Sequence, residues 1–240
     1  METVMNVKQL CKSYKDFSLK SIDFQIKKGT ITGFVGPNGS GKTTTIKCLL
    51  NLIRRDSGDI SILGLDSIKH EREVKDQLGI VLDVGYYYED LTLNEMKRLI
   101  APIYSSWDDE VYQHYLQSFG LPAERKIKDL SKGMRMKYSI LLAISHNAKL
   151  FIMDEPTSGL DPLVRNDLIE ILKDLIQDEE KTVFFSTHIT SDLDKVADYV
   201  IFLFDGQIFL QGEKDEIKNN HVLVKGSNTL LNEDAEKYFI

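Results

Sequence analysis

The sequence predicts an α/β protein in which a doubly wound core is preceded by an antiparallel β segment and interrupted by an inserted helical subdomain. The run Leu150–Met153 has four apolar residues in a row, as in a parallel strand covered on both faces. The strand Thr30–Val35 leads into a glycine-rich loop and a helix, which is the order of an α/β unit. From Leu91 to about Asn147 the pattern becomes helical, and strands alternate with helices again afterwards.

The individual elements follow from apolar periodicity, turn residues and helix caps. Strands are predicted at Val4–Leu10, Leu19–Ile26, Thr30–Val35, Gly58–Leu63, Leu78–Leu82, Leu150–Met153 and Thr182–Ser186. Helices are predicted at Lys42–Leu50, from Thr92 to near Trp107, and at Asp108–Gly120, Gly133–Asn147, Pro162–Gln177 and Thr190–Ala197. Thr92 and Glu95 have capping-box spacing. Asp205-Gly206 predicts a hairpin between Tyr199–Phe204 and Gln207–Gln211.

The composition argues against several classes of protein. The chain has 240 residues and a formal net charge of −7, whereas a general nucleic-acid binder usually carries a basic stripe, so we expect no nucleic-acid partner. Cys11 and Cys48 predict neither a disulfide framework nor a zinc site. We find no signal-sequence pattern and no apolar run near the ~20 residues that span a bilayer. We therefore expect a cytoplasmic protein that reaches a membrane only through a partner.

A phosphate-binding loop lies between the third predicted strand and the first predicted helix. Residues 36–43 read GPNGSGKT and match the pattern G-x-x-x-x-G-K-[ST]. The glycines let backbone N–H groups approach phosphate oxygens, where side chains would clash. Lys42 supplies a point charge for the β- and γ-phosphates, and Thr43 offers a hydroxyl to Mg²⁺. The motif has the strand and helix that it requires, so we expect it to bind a nucleotide.

Two carboxylates follow the predicted strand Leu150–Met153. In phosphate-binding-loop proteins an aspartate at such a strand end holds Mg²⁺, usually through water, and this role is expected for Asp154. Glu155 is expected to orient or deprotonate an attacking water. His188 follows another buried strand, so its imidazole is placed to bond the γ-phosphate. The alternatives are a turn-forming acid pair and a structural or surface histidine.

A second anion-binding element, LSKGM at residues 130–134, stands before a predicted helix. With this motif the sequence resembles an ATP-binding-cassette (ABC) nucleotide-binding subunit, over about residues 4–211. GPNGSGKTT matches Walker A, and LFIMDEP matches Walker B with its catalytic glutamate. Ser158–Asp161 matches the D-loop, His188 matches the switch histidine, and LSKGM matches the family signature, usually LSGGQ.

The resemblance implies a P-loop ATPase core at residues 1–212, with the helical signature subdomain at about 91–147, and a short tail of uncertain structure at 213–240. It implies ATP and Mg²⁺ as ligands. Two cassettes of this family pair head to tail, so the implied partners are a second copy or a homologous ATPase subunit, and separate transmembrane permease subunits. The implied location is cytoplasmic, peripheral on the inner face of the cell membrane.

The resemblance also assigns site residues, on the positions that match its motifs. Glu155 and His188 are the implied catalytic residues, and Thr43, Asp83 and Asp154 are the implied metal ligands. The implied nucleotide contacts are Tyr14, which would stack on adenine, with Gly36, Pro37, Asn38, Gly39, Ser40, Gly41, Lys42, Thr43, Thr44, Ser131, Gly133 and Asp161. Strand-end packing is the alternative role for Tyr14.

The sequence departs from the family pattern at two places. Asp83 stands where the family usually has glutamine, and Lys132 and Met134 replace the usual glycine and glutamine of the signature. Asp83 can still coordinate Mg²⁺, and whether it strengthens metal binding or slows closure stays open. Ser131 and Gly133 are retained, so we expect the γ-phosphate contact to survive. The three tyrosines at 86–88 suit either a permease contact or ordinary loop packing.

With these departures the sequence is similar to cassettes of bacterial ABC-2-type exporters. This resemblance favours export of a drug, antibiotic or peptide. Two other classes remain possible from sequence. One is a soluble ABC-type ATPase that acts on the ribosome or nucleic acid, although the acidic charge balance and the lack of a heptad run argue against it. The other is a module that binds nucleotide without hydrolysis, and Glu155 and His188 argue against that reading.

Overall fold

The computed structural model describes residues 2–82 and 87–220. The strands are β1 (Thr3–Ser13), β2 (Ser18–Lys27), β3 (Ile31–Val35), β4 (Ser57–Ile62), β5 (Leu65–Asp66), β6 (Leu78–Val81), β7 (Leu150–Met153), β8 (Thr182–Thr187), β9 (Tyr199–Phe204) and β10 (Gln207–Glu213). The helices are α1 (Lys42–Leu49), α2 (Glu71–Asp76), α3 (Leu93–Ile100), α4 (Asp109–Ser118), α5 (Lys132–Ser145), α6 (Pro162–Leu175), α7 (Thr190–Val196) and α8 (Lys214–Asn220). Short 3₁₀ turns follow α3 and precede α5.

The larger sheet has six strands in the order β10-β9-β3-β8-β7-β6. Strands β9, β3, β8, β7 and β6 are parallel, and β10 adds an antiparallel edge. Because the parallel strands end at one edge, the loops after β3, β7 and β8 lie side by side. These loops carry the phosphate-binding motif, the acidic pair and His188, so the sheet topology brings the three predicted motifs together.

The two faces of this sheet are covered by different layers. Alternate side chains such as Phe34 and Phe184 pack toward β1, β2, β4 and α1. Their neighbours, including Val35 and Phe185, pack toward α5, α6 and α7. The first layer contains the smaller sheet, which is antiparallel and has the order β2-β1-β4-β5. The sequence-based prediction of an α/β fold with an N-terminal antiparallel sheet is therefore confirmed, with that sheet covering one face of the core.

A third apolar cluster forms among α3, α4, α5 and the segments that join them. Helix α5 belongs to two clusters, since Tyr138 and Leu141 pack with α3 and α4 while Ile140 and Ile144 pack against the large sheet. Ten of its fourteen residues are buried. The helix that carries the signature motif is thus fixed on two sides, and its orientation depends on both clusters.

The structure corrects one predicted boundary and adds elements that the sequence did not show. The helix predicted to run from Thr92 to near Trp107 ends at Ile100, because Pro102 lacks an N–H and its ring clashes with the preceding turn. The capping box of Thr92 and Glu95 is present as predicted. Helix α2 was missed because only Val74 in it is buried, which leaves no apolar periodicity.

The predicted tail at residues 213–240 is described only as far as residue 220. Its first residue ends β10, and α8 follows directly. None of the helices formed by residues 2–82 and 87–220 is long and apolar enough to cross a membrane. Cys11 and Cys48 are free thiols, and burial raises the pKa of Cys48 to about 11.

Candidate functional site

The phosphate-binding loop joins β3 to α1 and is built on glycines. A Cβ atom on Gly36 would lie 2.2 Å from the backbone oxygen of Leu203, a distance that admits no side chain. Gly41 has a φ of +111°, and a Cβ there would lie 2.6 Å from Cζ of Phe17. Gly39 has a φ of +83°, in the left-handed region that favours glycine. The loop therefore follows a path that only glycines allow, as close binding of phosphate requires.

Lys42, the first residue of α1, directs its ammonium group into this loop. The side chain is 6% exposed, and its Nζ donates to the carbonyl oxygens of Gly36 at 2.8 Å and Pro37 at 3.3 Å. Nζ also lies 3.2 Å from Oε1 of Glu155. A nearly buried ammonium needs partners of this kind. The loop thus holds a positive charge at the position where the motif predicts phosphates.

Ser186, near the end of β8, fixes both carboxylate residues that follow β7. Its hydroxyl donates to Oδ1 of Asp154 at 2.6 Å and accepts the backbone N–H of Glu155 at 2.9 Å. Glu155 has a φ of +50°, and a residue other than glycine holds that conformation only with support from its surroundings. Sequence reasoning missed Ser186, although it stands two residues before His188.

Glu155 connects Lys42 to His188. One carboxylate oxygen lies 3.2 Å from Lys42 Nζ, and the other lies 2.7 Å from Nδ1 of His188. The Glu155 side chain is 14% exposed and that of His188 is 38% exposed. A carboxylate held between a cation and an imidazole can orient a water molecule and accept a proton from it. The structure therefore brings together the two predicted catalytic residues and the loop lysine.

A cavity of about 490 Å³ opens at this point, a volume within the usual range of small-molecule sites. Its lining residues are Phe17, Asn38, Gly39, Gly41, Lys42, Thr43, Thr44, Glu155, Ser158 and His188. The hydroxyl of Ser40 is buried and has no hydrogen-bond partner among the described residues. An unpaired hydroxyl, a buried ammonium and a glycine loop together fit the phosphate groups of a nucleotide.

The metal ligands predicted from the sequence are only partly described. Thr43 is exposed and lines the cavity, whereas Asp154 is 5% exposed and held by Ser186. Asp83 lies outside the described residues. Within residues 2–82 and 87–220, no group of three or more His, Cys, Asp or Glu side chains could hold a metal. A hydroxyl and a carboxylate still fit Mg²⁺, which takes few protein ligands and keeps waters and substrate phosphates.

The aromatic residue next to the cavity is Phe17 rather than the predicted Tyr14. Tyr14 is 50% exposed, its N–H donates to the carbonyl oxygen of Phe17 at 2.8 Å, and Lys12 Nζ lies 5.5 Å from its ring centroid. Phe17 follows three residues later, in the same turn between β1 and β2, and lines the cavity. Both aromatics belong to one turn, and no local pattern in the sequence indicates which of them reaches the cavity. Adenine stacking by Tyr14 stays a prediction.

The signature residues Ser131 and Gly133 lie away from this cavity, at the start of α5. Ser131 is the N-cap, and its hydroxyl accepts the N–H of Met134 at 3.2 Å. A Cβ on Gly133 would lie 2.5 Å from Cγ1 of Val164 on α6, so this glycine lets the two helices pack closely. Neither signature residue lines the 490 Å³ cavity. Their contact with nucleotide stays a prediction that needs a second subunit.

Asp161, predicted to contact nucleotide, is the N-cap of α6. Its Oδ1 accepts the N–H groups of Leu163 and Val164, each at 3.1 Å. The side chain thus fixes the start of α6 and does not line the cavity. Ser158, at the other end of the predicted D-loop, does line it. The D-loop therefore begins at the cavity and ends on a capped helix.

The geometry defines a class of protein: a P-loop nucleotide-binding α/β protein with a carboxylate and a histidine at the phosphate site. The family model described as ABC transporter matches residues 19–158. Bacitracin transport ATP-binding protein BcrA of Bacillus licheniformis is 33% identical over 226 residues, which cover 92% of this chain and 73% of that protein. The chain belongs to the ABC transporter family, as an ATP-binding ATPase domain.

Other relatives agree with this assignment. Lantibiotic transport ATP-binding protein SrtF of Streptococcus pyogenes is 29% identical over 229 residues, which cover 92% of this chain and 98% of that protein. A solved ATP-binding subunit of an ABC transporter superposes with a TM-score of 0.79 at 29% identity, covering 90% of this chain and 92% of the other. A dimeric cassette bound to ADP and Pi gives 0.77 at 24% identity, covering 87% and 98%, and shares the fold.

Proposed function

We propose that this subunit hydrolyses MgATP in a pocket shared by two cassettes, and that hydrolysis drives transport by separate permease subunits. The observation that carries the proposal is the chain of contacts from Lys42 through Glu155 to His188. Lys42 would bind the β- and γ-phosphates, Glu155 would position the attacking water, and His188 would bond the γ-phosphate. Thr43 and Asp154 would hold Mg²⁺, which would neutralise charge on the phosphate oxygens.

The shared pocket is supported by the placement of the two anion-binding elements. Ser131 and Gly133 start a helix, where backbone N–H groups and the helix dipole favour an anion. They do not line the cavity that contains Lys42. A second copy or a homologous ATPase subunit, placed head to tail, would bring its Ser131 to the phosphates held by this Lys42. Asp161 would then lie at the interface.

A permease partner is supported by an exposed cleft on another side of the molecule. A cavity of about 1050 Å³ lies between α2 and the turn after α3, and its lining includes Ile68, Ile103 and Tyr104. Ile68 is 59% exposed and Ile103 is 69% exposed. Tyr88, which is 69% exposed, is one of the tyrosines that the sequence suggested for such a contact. The other half of the lining is charged, mainly on α2, and a cleft with both apolar and charged side chains suits an amphipathic helix from a membrane subunit. Such a helix would hold the cassette at the inner membrane face.

The transported substrate is proposed from the relatives. The two relatives described above are named as a bacitracin transport protein and a lantibiotic transport protein. We infer that this subunit energises export of an antibiotic or a peptide of that kind. Co-purification of the chain with an integral membrane protein supports the proposal, whereas persistent co-purification with ribosomes would favour the soluble alternative.

The hydrolytic role is tested by replacing Glu155 with glutamine and measuring phosphate release. Glu155→Gln keeps the size of the side chain and removes the proton acceptor, so turnover should fall about 100-fold or more while ATP still binds. Glu170→Gln is the matched control, because Glu170 is an exposed residue of α6 that pairs with Lys173. Equal turnover in the two variants would remove Glu155 from the proposed role.

A further inference from the structure

Outside the cavity, one fully buried carboxylate holds three parts of the site together. Asp192 on α7 is 0% exposed. Its Oδ1 accepts Nε of Arg165 at 2.7 Å, and its Oδ2 accepts the hydroxyl of Thr157 at the same distance. A second nitrogen of Arg165 also pairs with Oδ1. A buried charge is costly unless it is paired and hydrogen-bonded, and here each oxygen has its partner.

The two partners of Asp192 stand at opposite ends of one short segment. Thr157 precedes the D-loop, Ser158–Asp161, and Arg165 follows it in the first turns of α6. Thr157 is 1% exposed, and the backbone N–H of Arg165 donates to the carbonyl oxygen of Asp161. One carboxylate therefore fixes where the D-loop begins and where it ends.

The same carboxylate links this segment to the proposed catalytic residues. Thr157 stands two residues after Glu155, and Asp192 stands four residues after His188. The left-handed backbone of Glu155 needs support from its surroundings. On the β8 side Ser186 accepts the backbone N–H of Glu155, and two residues beyond Glu155 the next side chain anchored to another element is Thr157, which bonds Asp192.

We propose that Asp192 is a positioning residue for ATP hydrolysis, which holds Glu155 in register with His188 through Thr157 and holds the D-loop through Arg165. Asp192 does not line the nucleotide cavity, so it acts through these two partners. The proposal rests on the proposed role of Glu155. It adds a specific consequence: Asp192 couples the His188 segment to the D-loop, beside the bond of Arg165 to Ser191.

The decisive variant is Thr157→Val, which keeps the side-chain shape and removes only the hydroxyl that binds Asp192. Displacement of Glu155 should lower the kcat for ATP about tenfold, while the KM for ATP changes less than about twofold, because the phosphate loop is untouched. Thr157→Ser restores the hydroxyl and should recover kcat to within about twofold of the wild type.

The matched control is Thr182→Val at the far end of β8. Thr182 is also fully buried, and its hydroxyl accepts the N–H of Gly29 at 3.0 Å, so its loss costs a buried hydrogen bond remote from the site. Thermal unfolding of both variants shows how much stability each change removes. Thr182→Val should keep the wild-type kcat, even if its unfolding temperature falls by as much as that of Thr157→Val.

A fall in kcat for Thr157→Val that Thr182→Val does not share, with rescue by Thr157→Ser, supports the proposal. An unchanged kcat in Thr157→Val, beside a large loss in Glu155→Gln, overturns the positioning role and leaves the proposed function standing. Full turnover in Glu155→Gln overturns both. Arg165→Lys tests the other contact of Asp192, since it keeps the charge and loses the planar fork. A wild-type kcat in that variant removes Arg165 from the proposal.

Discussion

The two predicted phosphate-binding elements of this chain are built differently. At the Walker A loop, the buried ammonium of Lys42 contacts the carboxylate of Glu155, and the same carboxylate contacts His188. The three side chains are therefore already in contact within one subunit. At the signature, the exposed Ser131 caps its own helix through Met134. The first element brings together a cation, a carboxylate and an imidazole, whereas the second is a capped helix end held by packing, whose contact with an anion is a prediction.

This difference supports the proposal that a single cassette holds only part of a working site. The buried face of α5 joins two apolar clusters, so the signature is a fixed platform rather than a mobile loop. In the proposed pair of cassettes, this platform would serve the pocket of the other subunit. The comparison therefore leads to three predictions, given from the largest expected effect to the smallest.

The largest effect is expected when the two elements are disabled in separate subunits. Lys42→Ala removes the phosphate charge, and Ser131→Arg places a bulky cation where the signature should contact phosphate. Each variant alone should lose about 100-fold or more of its ATPase activity. An equimolar mixture should recover activity, because a mixed pair forms one pocket with an intact Lys42 and an intact Ser131.

The control for this experiment is a mixture of Lys42→Ala with Glu155→Gln. Both changes lie in the same half of the pocket, so no mixed pair contains a complete site and activity should stay low. Circular dichroism confirms that each variant folds. If the Lys42 and Ser131 variants also fail to complement while both are folded and associate, the shared pocket is wrong.

The second prediction compares glycine-to-alanine changes in the two elements. At Gly36 a Cβ would meet a backbone oxygen, that of Leu203, at 2.2 Å, and backbone cannot move aside cheaply. At Gly133 it would meet the end of the Val164 side chain at 2.5 Å. Gly36→Ala should therefore distort the loop and abolish measurable ATP binding. Gly133→Ala should cost about 1–3 kcal/mol of stability through overpacking and leave ATP binding by the same subunit intact.

A second substitution should restore part of the stability that Gly133→Ala loses. Val164→Ala removes the methyl groups that an alanine at position 133 would strike, so the double variant should unfold at a higher temperature than Gly133→Ala alone. The same Val164 change should do nothing for Gly36→Ala, since Leu203 and not Val164 lies over that loop. If Gly133→Ala abolishes ATP binding in the isolated subunit, the separation of the two elements is wrong.

The sequence predicted the parts of this comparison that depend on local pattern. Glycine spacing and a following helix predict the loop, and the spacing of Thr92 and Glu95 predicts a cap that the structure contains. Contacts between segments that are distant in the sequence produce no local sequence pattern from which they could be predicted. Phe17 reaches the cavity because the β1–β2 turn folds over Gly41, and no local periodicity encodes that approach.

The link between Asp192 and Thr157 shows the same limit more strongly. The two residues are 35 positions apart, and an aspartate in the first turn of a helix is ordinary as a sequence feature. Only the parallel pairing of β7 with β8 brings the loops after those strands together. Local structure was thus predictable from the sequence, whereas the contacts that hold the motif residues in place were not.

A buried histidine lies where the signature helix α5 meets the large sheet. His146 is the C-cap of α5 and is 2% exposed. Its Nδ1 lies 2.8 Å from the carbonyl oxygen of Leu142, and its Nε2 lies 3.0 Å from that of Leu78 on β6. Tyr104 stacks on the ring at 3.7 Å between centroids, and the carboxylate of Asp76 is the nearby charge. One side chain thus ties the signature helix to the large sheet.

Burial lowers the pKa of His146 below its ordinary value of 6.5. The carbonyl oxygens of Leu78 and Leu142 and the carboxylate of Asp76 favour the charged imidazolium and only partly oppose this. Below pH 6.5 the unfolded chain therefore binds a proton that the folded protein resists, so the free energy of unfolding falls as the pH falls through that value. His146→Gln should cost about 1 kcal/mol at pH 7, from one lost hydrogen bond, and should lose less further stability than the wild type by pH 5. Urea unfolding at both pH values measures this difference. An identical pH dependence in the two proteins would show that protonation of His146 contributes nothing to the loss of stability at low pH.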